Sequence, residues 1–211
     1  MPALNPEGTV RRYAGQRTYN VVLSGISRDL PLVQIKPGVY IASDAELILG
    51  DVKFLSKAGQ LLARKLTGLK IDIILTAEAK SIALAYELAK RLGHSRFIVA
   101  RKSAKSYMGD YFAQKVKSIT TKSEQRLLMT REELKSLSGR NVCLLDDVVS
   151  TGATFTALEA IVKKAGGNVV CRAAIWREGP WYRGDLLCVA VLPIFVAENN
   201  PLAKGLEAPS L

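Results

Sequence analysis

The 211 residues predict an α/β fold with a mostly parallel central sheet flanked by helices. Three observations carry that prediction. Short apolar runs alternate with helix-periodic stretches through the middle of the chain, small-residue turns follow the runs, and glycines stand where the helices should end. A chain of this length suits one domain, spanning 1–211, with enough interior for a sizeable core.

Residues 1–17 are polar and hold Pro and Gly, which suits a loosely held lead-in. Tyr19 to Leu23 reads as a first strand ended by Ser24-Gly25. The stretch from Gly25 to Pro31 is turn-like. Short strands follow at Leu32 to Ile35 and Val39 to Ala42, with Pro37-Gly38 turning the chain between them. Asp51 to Thr67 has helical spacing, with Val52, Leu55, Gly59, Leu62 and Leu66 as its inner stripe. Ile71 to Leu75 reads as a buried strand, Ser81 to Leu92 as a helix closed by Gly93, and Phe97 to Ala100 as another strand. After an irregular basic stretch, Val116 to Thr121 and Arg126 to Thr130 fit an antiparallel excursion. Arg131 to Leu137 fits a short helix, and Asn168 to Trp176 and Leu186 to Leu192 fit two further strands.

The bulk numbers exclude some classes. No apolar run approaches the ~20 residues of a membrane span, and the first residues lack the apolar core of a signal peptide. Cys143, Cys171 and Cys188 are odd in number, lie in apolar runs and form no CxxC, which suits small core residues in a reducing, cytoplasmic setting. The net charge of +11 invites a nucleic-acid partner, but the cations are dispersed and only 7% of residues are aromatic. A substrate rich in phosphate rewards the same positive field. Nucleic acid and membrane are therefore not expected as partners. His94, the sole histidine, supports neither a histidine triad nor a metal cluster.

The most informative stretch is Asn141 to Ala165. An apolar run, Val142 to Leu145, suits a strand buried on both faces. Asp146 and Asp147 stand where that run should end, and Ser150-Thr151-Gly152-Ala153-Thr154 opens a helix stopped by Gly166-Gly167. Free N–H groups at a helix start attract an anion, and Gly152 leaves room for a phosphate to approach the backbone. The acid pair repels phosphate and instead suits sugar hydroxyls. Neither a Walker loop nor GxGxxG is present. A plain strand end with two solvated acids, or a phosphoacceptor site, remains open on these residues alone.

The run LLDDVVSTGATFTAL closely resembles the phosphoribosyl-pyrophosphate motif of the type I phosphoribosyltransferases. The resemblance implies that family's fold, with a small hood contributed by about residues 1–45 and 176–200. It implies that Asp146 and Asp147 hold the ribose hydroxyls and that Ser150, Thr151, Gly152, Ala153 and Thr154 wrap the 5-phosphate. Thr76 to Ser81 is similar to the pyrophosphate loop of the adenine enzymes, with Ala79, Lys80 and Ser81 facing the pyrophosphate and Lys80 replacing the family's Arg. Otherwise it reads as a βα turn with a solvated Lys. Arg101-Lys102-Ser103-Ala104-Lys105 resembles the start of the family's mobile loop, so Arg101 and Lys105, with Asp147, become the expected catalytic residues. Without the resemblance it is an exposed basic loop.

Gly25-Ile26-Ser27-Arg28-Asp29 is similar to the family's base-binding turn, which implies that the backbone at Ile26 and Arg28 reads the base; a hairpin turn is the alternative. Thr120 stands where the adenine enzymes carry a proton-handling Glu, and Glu124 lies nearby. Trp176 to Tyr182 is a dense aromatic cluster, fit for a base platform, a dimer interface or a packed lid. The family resemblance implies a purine-salvage enzyme of the cytoplasm, most often a homodimer. It would move a phosphoribosyl group from phosphoribosyl pyrophosphate to a purine base, adenine-type favoured, with Mg2+ held mainly through the substrate and no sure protein ligand. An oxopurine enzyme and a non-catalytic sensor of phosphoribosyl pyrophosphate are the alternatives. The sensor would need a DNA-reading module that residues 1–45 do not pattern.

Overall fold

The structure, a computed structural model, describes residues 8–106, 108–116, 125–198 and 200. Its centre is a five-stranded, wholly parallel sheet made of β5 (Ile73–Ala77), β6 (Ile98–Ala100), β9 (Asn141–Val149), β10 (Asn168–Glu178) and β11 (Leu187–Leu192). Their spatial order is β11-β10-β9-β5-β6. Helices α2 (Val52–Lys65) and α3 (Ile82–Leu92) cover one face, and α5 (Ala153–Ala165) covers the other. Val142 to Leu145 are all fully buried, as a strand with helices on both faces requires.

α2 begins where Asp51 accepts a hydrogen bond from the Phe54 N–H at 2.8 Å. Its inner face is Phe54, Leu55, Ala58, Gly59 and Leu62. Val52, expected inside, is 78% exposed, because the helix turns its Phe54 side to the core. Phe54 stacks on Trp176 of β10, centroids 6.0 Å apart. Removing a buried ring of this kind costs about 3–5 kcal/mol. Gly59 lets α3 approach, since a Cβ there would stand 3.0 Å from the Glu87 Cβ. Left-handed glycines close α3 at Gly93 and α5 at Gly166.

The second sheet joins both ends of the described chain. Its members are β1 (Val10–Arg12), β2 (Thr18–Leu23), β3 (Ile26–Lys36), β4 (Val39–Ala42) and β12 (Ile194–Val196), in the order β1-β12-β4-β3-β2. β12 runs parallel to β1 and antiparallel to β4. A short helix, α1 (Ala45–Gly50), links β4 to α2.

Three expectations are corrected here. Gly25 to Pro31 is not a turn: Ser24 and Gly25, both at positive φ, make the whole reversal, and Leu23 pairs with Ile26 at once. β3 then runs unbroken through Pro31 and absorbs the strand expected at Leu32. The central strand does not stop before its acids, because β10 goes on pairing with β9 as far as Arg177 opposite Val149. The excursion is antiparallel as expected but starts earlier, with β7 (Tyr111–Val116) against β8 (Gln125–Thr130). Lys117 to Glu124, including Thr120, lie outside the described residues. After β8 comes α4 (Arg131–Lys135), opened by a capping box between Thr130 and Glu133.

Candidate active site

The site forms where β5 stops pairing with β9 while β10 continues. Thr76 is the last β5 residue opposite β9, paired with Leu145, and its hydroxyl donates to the Leu145 carbonyl at 2.8 Å. Beyond that point Asp146 and Asp147 face the loop Glu78 to Ser81 across the vacated edge. This is the carboxyl end of a parallel sheet, where ligands of such folds gather. The cleft is lined by this loop, by Lys102 and Arg126, and by Asp146, Asp147 and Thr154.

Its charges are tightly interlocked. The Ser81 hydroxyl lies 2.8 Å from Asp146 and 3.0 Å from Asp147. Lys80 forms ion pairs with Asp147 and, at 3.0 Å, with Asp44 from the turn between β4 and α1. Burial, with the charge of Asp147 next, raises the Asp146 pKa well above the usual carboxylate range. For Asp147 burial acts in the same direction, but the hydrogen bond with Asp146 and the nearby Lys80 outweigh it and lower its pKa. The two carboxyls are thus pushed apart, Asp146 toward its neutral form and Asp147 toward its charged form. Burial by itself would lower the Lys80 pKa; Asp147 and Asp44 overcome it and raise it. Asp44 is raised by burial and by Asp147.

Beside the cleft, Ser150 to Thr154 line a shallower pocket together with Val116 and Phe155. α5 starts at Gly152 with no side-chain cap, so the amides of its first turn have no intrahelical acceptor. Gly152 is required for a reason the sequence did not show. It sits at φ +79°, and a Cβ there would meet the Tyr182 ring at 2.3 Å. The room above Gly152 belongs to Tyr182, which also packs edge-on against Phe155.

The structure therefore brings together Ala79, Lys80, Ser81, Asp146, Asp147 and the turn Ser150 to Thr154. Other expected residues stand elsewhere. Ile26 is buried in the core. Arg28 is tied to Asp51 at 2.6 Å, so neither side chain lines the cleft, and any contact of these two positions with a base would run through their backbone. Arg101 exchanges backbone hydrogen bonds with Leu128, docking the β7–β8 hairpin on β6. Lys105 is exposed and outside the cleft lining; Lys102, whose N–H donates to Glu78 at 2.8 Å, and Arg126 are the cations that reach it. In the aromatic cluster Trp176 is core and Tyr182 packs on the phosphate turn, which is the packed-lid alternative.

Two acids were missed. Glu178 had a signal, a carboxylate closing an apolar strand run just as Asp146 does. It is 7% exposed, and burial pushes its pKa up to about 7. Asp44 had none, since only the fold carries it to Lys80. Among the described residues no three His, Cys, Asp or Glu side chains gather as a metal site. With Asp147 paired to Lys80, the residues present do not fit a resident metal.

Residues 49–185 match the phosphoribosyl transferase domain family. The chain belongs to that family. This phosphoribosyltransferase is 27% identical to the xanthine phosphoribosyltransferase of Clostridioides difficile over 65% of its own length and 72% of that protein's. It is 32% identical to the adenine phosphoribosyltransferase of Thermosipho africanus over 68% and 79%. The crystal structure of the adenine enzyme from Thermoanaerobacter pseudethanolicus superposes with a TM-score of 0.62 at 22% identity, covering 77% of this chain and 95% of that one. The fold is that of a type I phosphoribosyltransferase.

Proposed function

We propose that this phosphoribosyltransferase moves the 5-phosphoribosyl group of phosphoribosyl pyrophosphate onto a purine base, releasing pyrophosphate. The supporting observation is the adjacency of two anion-receptive turns, after β5 and after β9, with the acid dyad between them. Neighbouring strands lie ~4.8 Å apart, so the two turns open onto adjoining positions.

The 5-phosphate sits against Ser150 to Thr154 and the start of α5. The ribose hydroxyls meet Asp146 and Asp147, whose carboxyl oxygens accept their hydrogen bonds. The pyrophosphate lies along Ala79 to Ser81, where Lys80, Lys102 and Arg126 offset the charge that grows on the leaving oxygens. Lys80 must turn from its aspartates to the substrate, so arrival of the pyrophosphate frees Asp147 for the ribose. Mg2+, if carried in on the substrate's own oxygens, would offset part of the pyrophosphate charge without a protein ligand. The small sheet, with its hood role, closes the other side of the cleft, and the protein works in the cytoplasm as a homodimer.

Incubation with phosphoribosyl pyrophosphate, Mg2+ and each nucleobase in turn, scoring nucleotide formed, tests this reading. A purine nucleotide is the expected product, and its identity separates adenine-type from oxopurine specificity. No product from any base, with salt-sensitive binding to duplex DNA, would instead mark a regulator that only senses phosphoribosyl pyrophosphate. Asp147→Asn removes the charge that grips the ribose and is expected to slow transfer about 100-fold or more with the fold retained. Unchanged turnover in that variant would contradict the assignment.

A further inference from the structure

The net charge of +11 is dispersed along the sequence but not over the molecule. In a wholly parallel sheet every strand begins at one end, and the helix that feeds a strand must finish there. α2 leads to β5, α3 to β6 and α5 to β10. Their last turns hold Arg64 and Lys65, Lys90 and Arg91, and Lys163 and Lys164. A helix dipole rewards cations in its last turn. It does not call for Lys70 and Arg96, which stand exposed in the loops beyond α2 and α3. Two acids at this end are already engaged: Glu87 pairs with Arg91 at 3.3 Å, and Asp72 accepts the Asn141 N–H at 2.8 Å. The cleft opens at the opposite ends of the strands, and none of these cations lines it.

Two grooves flank the C-terminal end of α3. One, of about 530 Å³, is lined by Tyr86, Lys90, His94, Arg96 and Phe97. The other, of about 600 Å³, lies between α2 and α3 and carries Gln60, Arg64 and Arg91 on its walls. Lys90 borders the first and Arg91 the second, so both grooves share the end of α3. Tyr86 and Lys90 stand four residues apart on that helix, which puts them on one face. Tyr86 is 57% exposed, a large ring left in water beside a cation. Among the described residues the side chains of Arg64, Lys90 and Arg96 make no hydrogen bond or ion pair, and the buried Nδ1 of His94 has no hydrogen-bond partner. Cations in a row with an accessible ring match a polyanion whose bases can stack. A duplex hides its base faces and a lipid headgroup has none, so the ring favours a single strand over either.

We propose that this end of the molecule binds single-stranded nucleic acid, with phosphates on Arg64, Lys90 and Arg96 and a base stacked on Tyr86. Dispersal along the chain argued against such a partner, and the fold undoes that dispersal. The proposal does not rest on the transferase reading, because its test reads binding whether or not a nucleotide is made. The full chain is titrated into fluorescein-labelled oligouridylate or oligothymidylate of about 12 nucleotides without terminal phosphates, followed by anisotropy. Binding of either supports the proposal, and the tighter names the preferred sugar. Log K should fall with log salt by about 0.7 for each phosphate held. Lys90→Glu with Arg96→Glu should weaken binding at least about tenfold at ~0.1 M salt and flatten that slope. Tyr86→Ala, which changes no charge, should cost about fivefold or more, and Tyr86→Phe should restore it. Arg17→Glu with Lys36→Glu, an equal charge change on the smaller sheet, should cost less than about twofold, since distant charges are screened. Saturating phosphoribosyl pyrophosphate should leave binding unchanged. Melting curves check that each variant is folded; these are surface changes, and the Tyr86 pair decides the question if the double reversal unfolds. The proposal is overturned if neither oligonucleotide binds at ~0.05 M salt, or if the smaller-sheet control loses as much as the groove variant. It is overturned equally if a duplex or phosphatidylserine vesicles bind as tightly as the single strand, or if phosphoribosyl pyrophosphate displaces the oligonucleotide.

Discussion

The turn Ser150 to Thr154 and the loop Glu78 to Ser81 lie at neighbouring strand ends, yet they are prepared for a ligand in opposite ways. The first is open: Thr151 is exposed, and the α5 amides have no cap. Its backbone is set by the strand-to-helix reversal at Gly152, with the Tyr182 ring resting on that glycine. The second is closed: Lys80 is held by two carboxylates that lie 36 and 67 residues away in sequence. An open cradle is ready for an anion at once, whereas the locked cation must first exchange partners. One site thus combines a rigid anchor with a switchable contact.

Disturbing the anchor should have the largest effect. Gly152→Ala forces an L side chain into positive φ and against the Tyr182 ring, so urea unfolding should show a loss of at least about 2 kcal/mol. Binding of ribose 5-phosphate, followed by calorimetry, should fall with it. A variant as stable as the wild type would show that Tyr182 does not in fact rest on the turn. Unlocking the switch should cost less. Lys80→Met strands Asp44 and Asp147 without their cation, and removal of one partner from a fully buried pair costs about 3–5 kcal/mol. Because the Lys80 side chain is 42% exposed, solvent screens part of this, and a loss of about 1–3 kcal/mol is expected at pH 7. The loss should shrink at acid pH, where the two aspartates are protonated. A loss independent of pH would mean that packing, not charge, is what Lys80 supplies. At the small end, Arg12 and Glu198 pair at 2.6 Å but with side chains 68% and 70% exposed. Arg12→Ala should shift stability by less than about 0.5 kcal/mol in the same assay.

The same contrast explains what could be read from the sequence. The parallel sheet was legible because doubly buried strands must be apolar and their helices must carry a stripe. The phosphate turn was legible because its chemistry is contiguous, acids first and small hydroxyl residues after. Lys80 and Ser81 line the cleft beside the acid pair, but their aspartate partners were not foreseen, since no local pattern reports a contact between loops of different strands. Ile26 to Pro31 fall in a strand rather than a turn for a specific reason: Ser24 accepts positive φ, so the reversal is complete one residue earlier than composition suggests. Arg101 and Lys105 were chosen because their run resembles the start of the family's mobile loop. The antiparallel bridge to Leu128 instead fixes the Arg101 backbone and leaves Lys102 and Arg126 at the cleft.

The sheet built from both ends of the described chain sets an order of assembly. Among the described residues β12 is the only strand joining β1 to β4, and it is the last of those strands to leave the ribosome. Until residue 196 has emerged, β1 has no neighbour and one edge of β4 stays unpaired, so the parallel core can form well before its smaller companion closes. Strand exchange or a premature stop just before Ile194 would leave that core intact while opening the companion sheet, and the newly bared β4 edge would be the place where self-association begins.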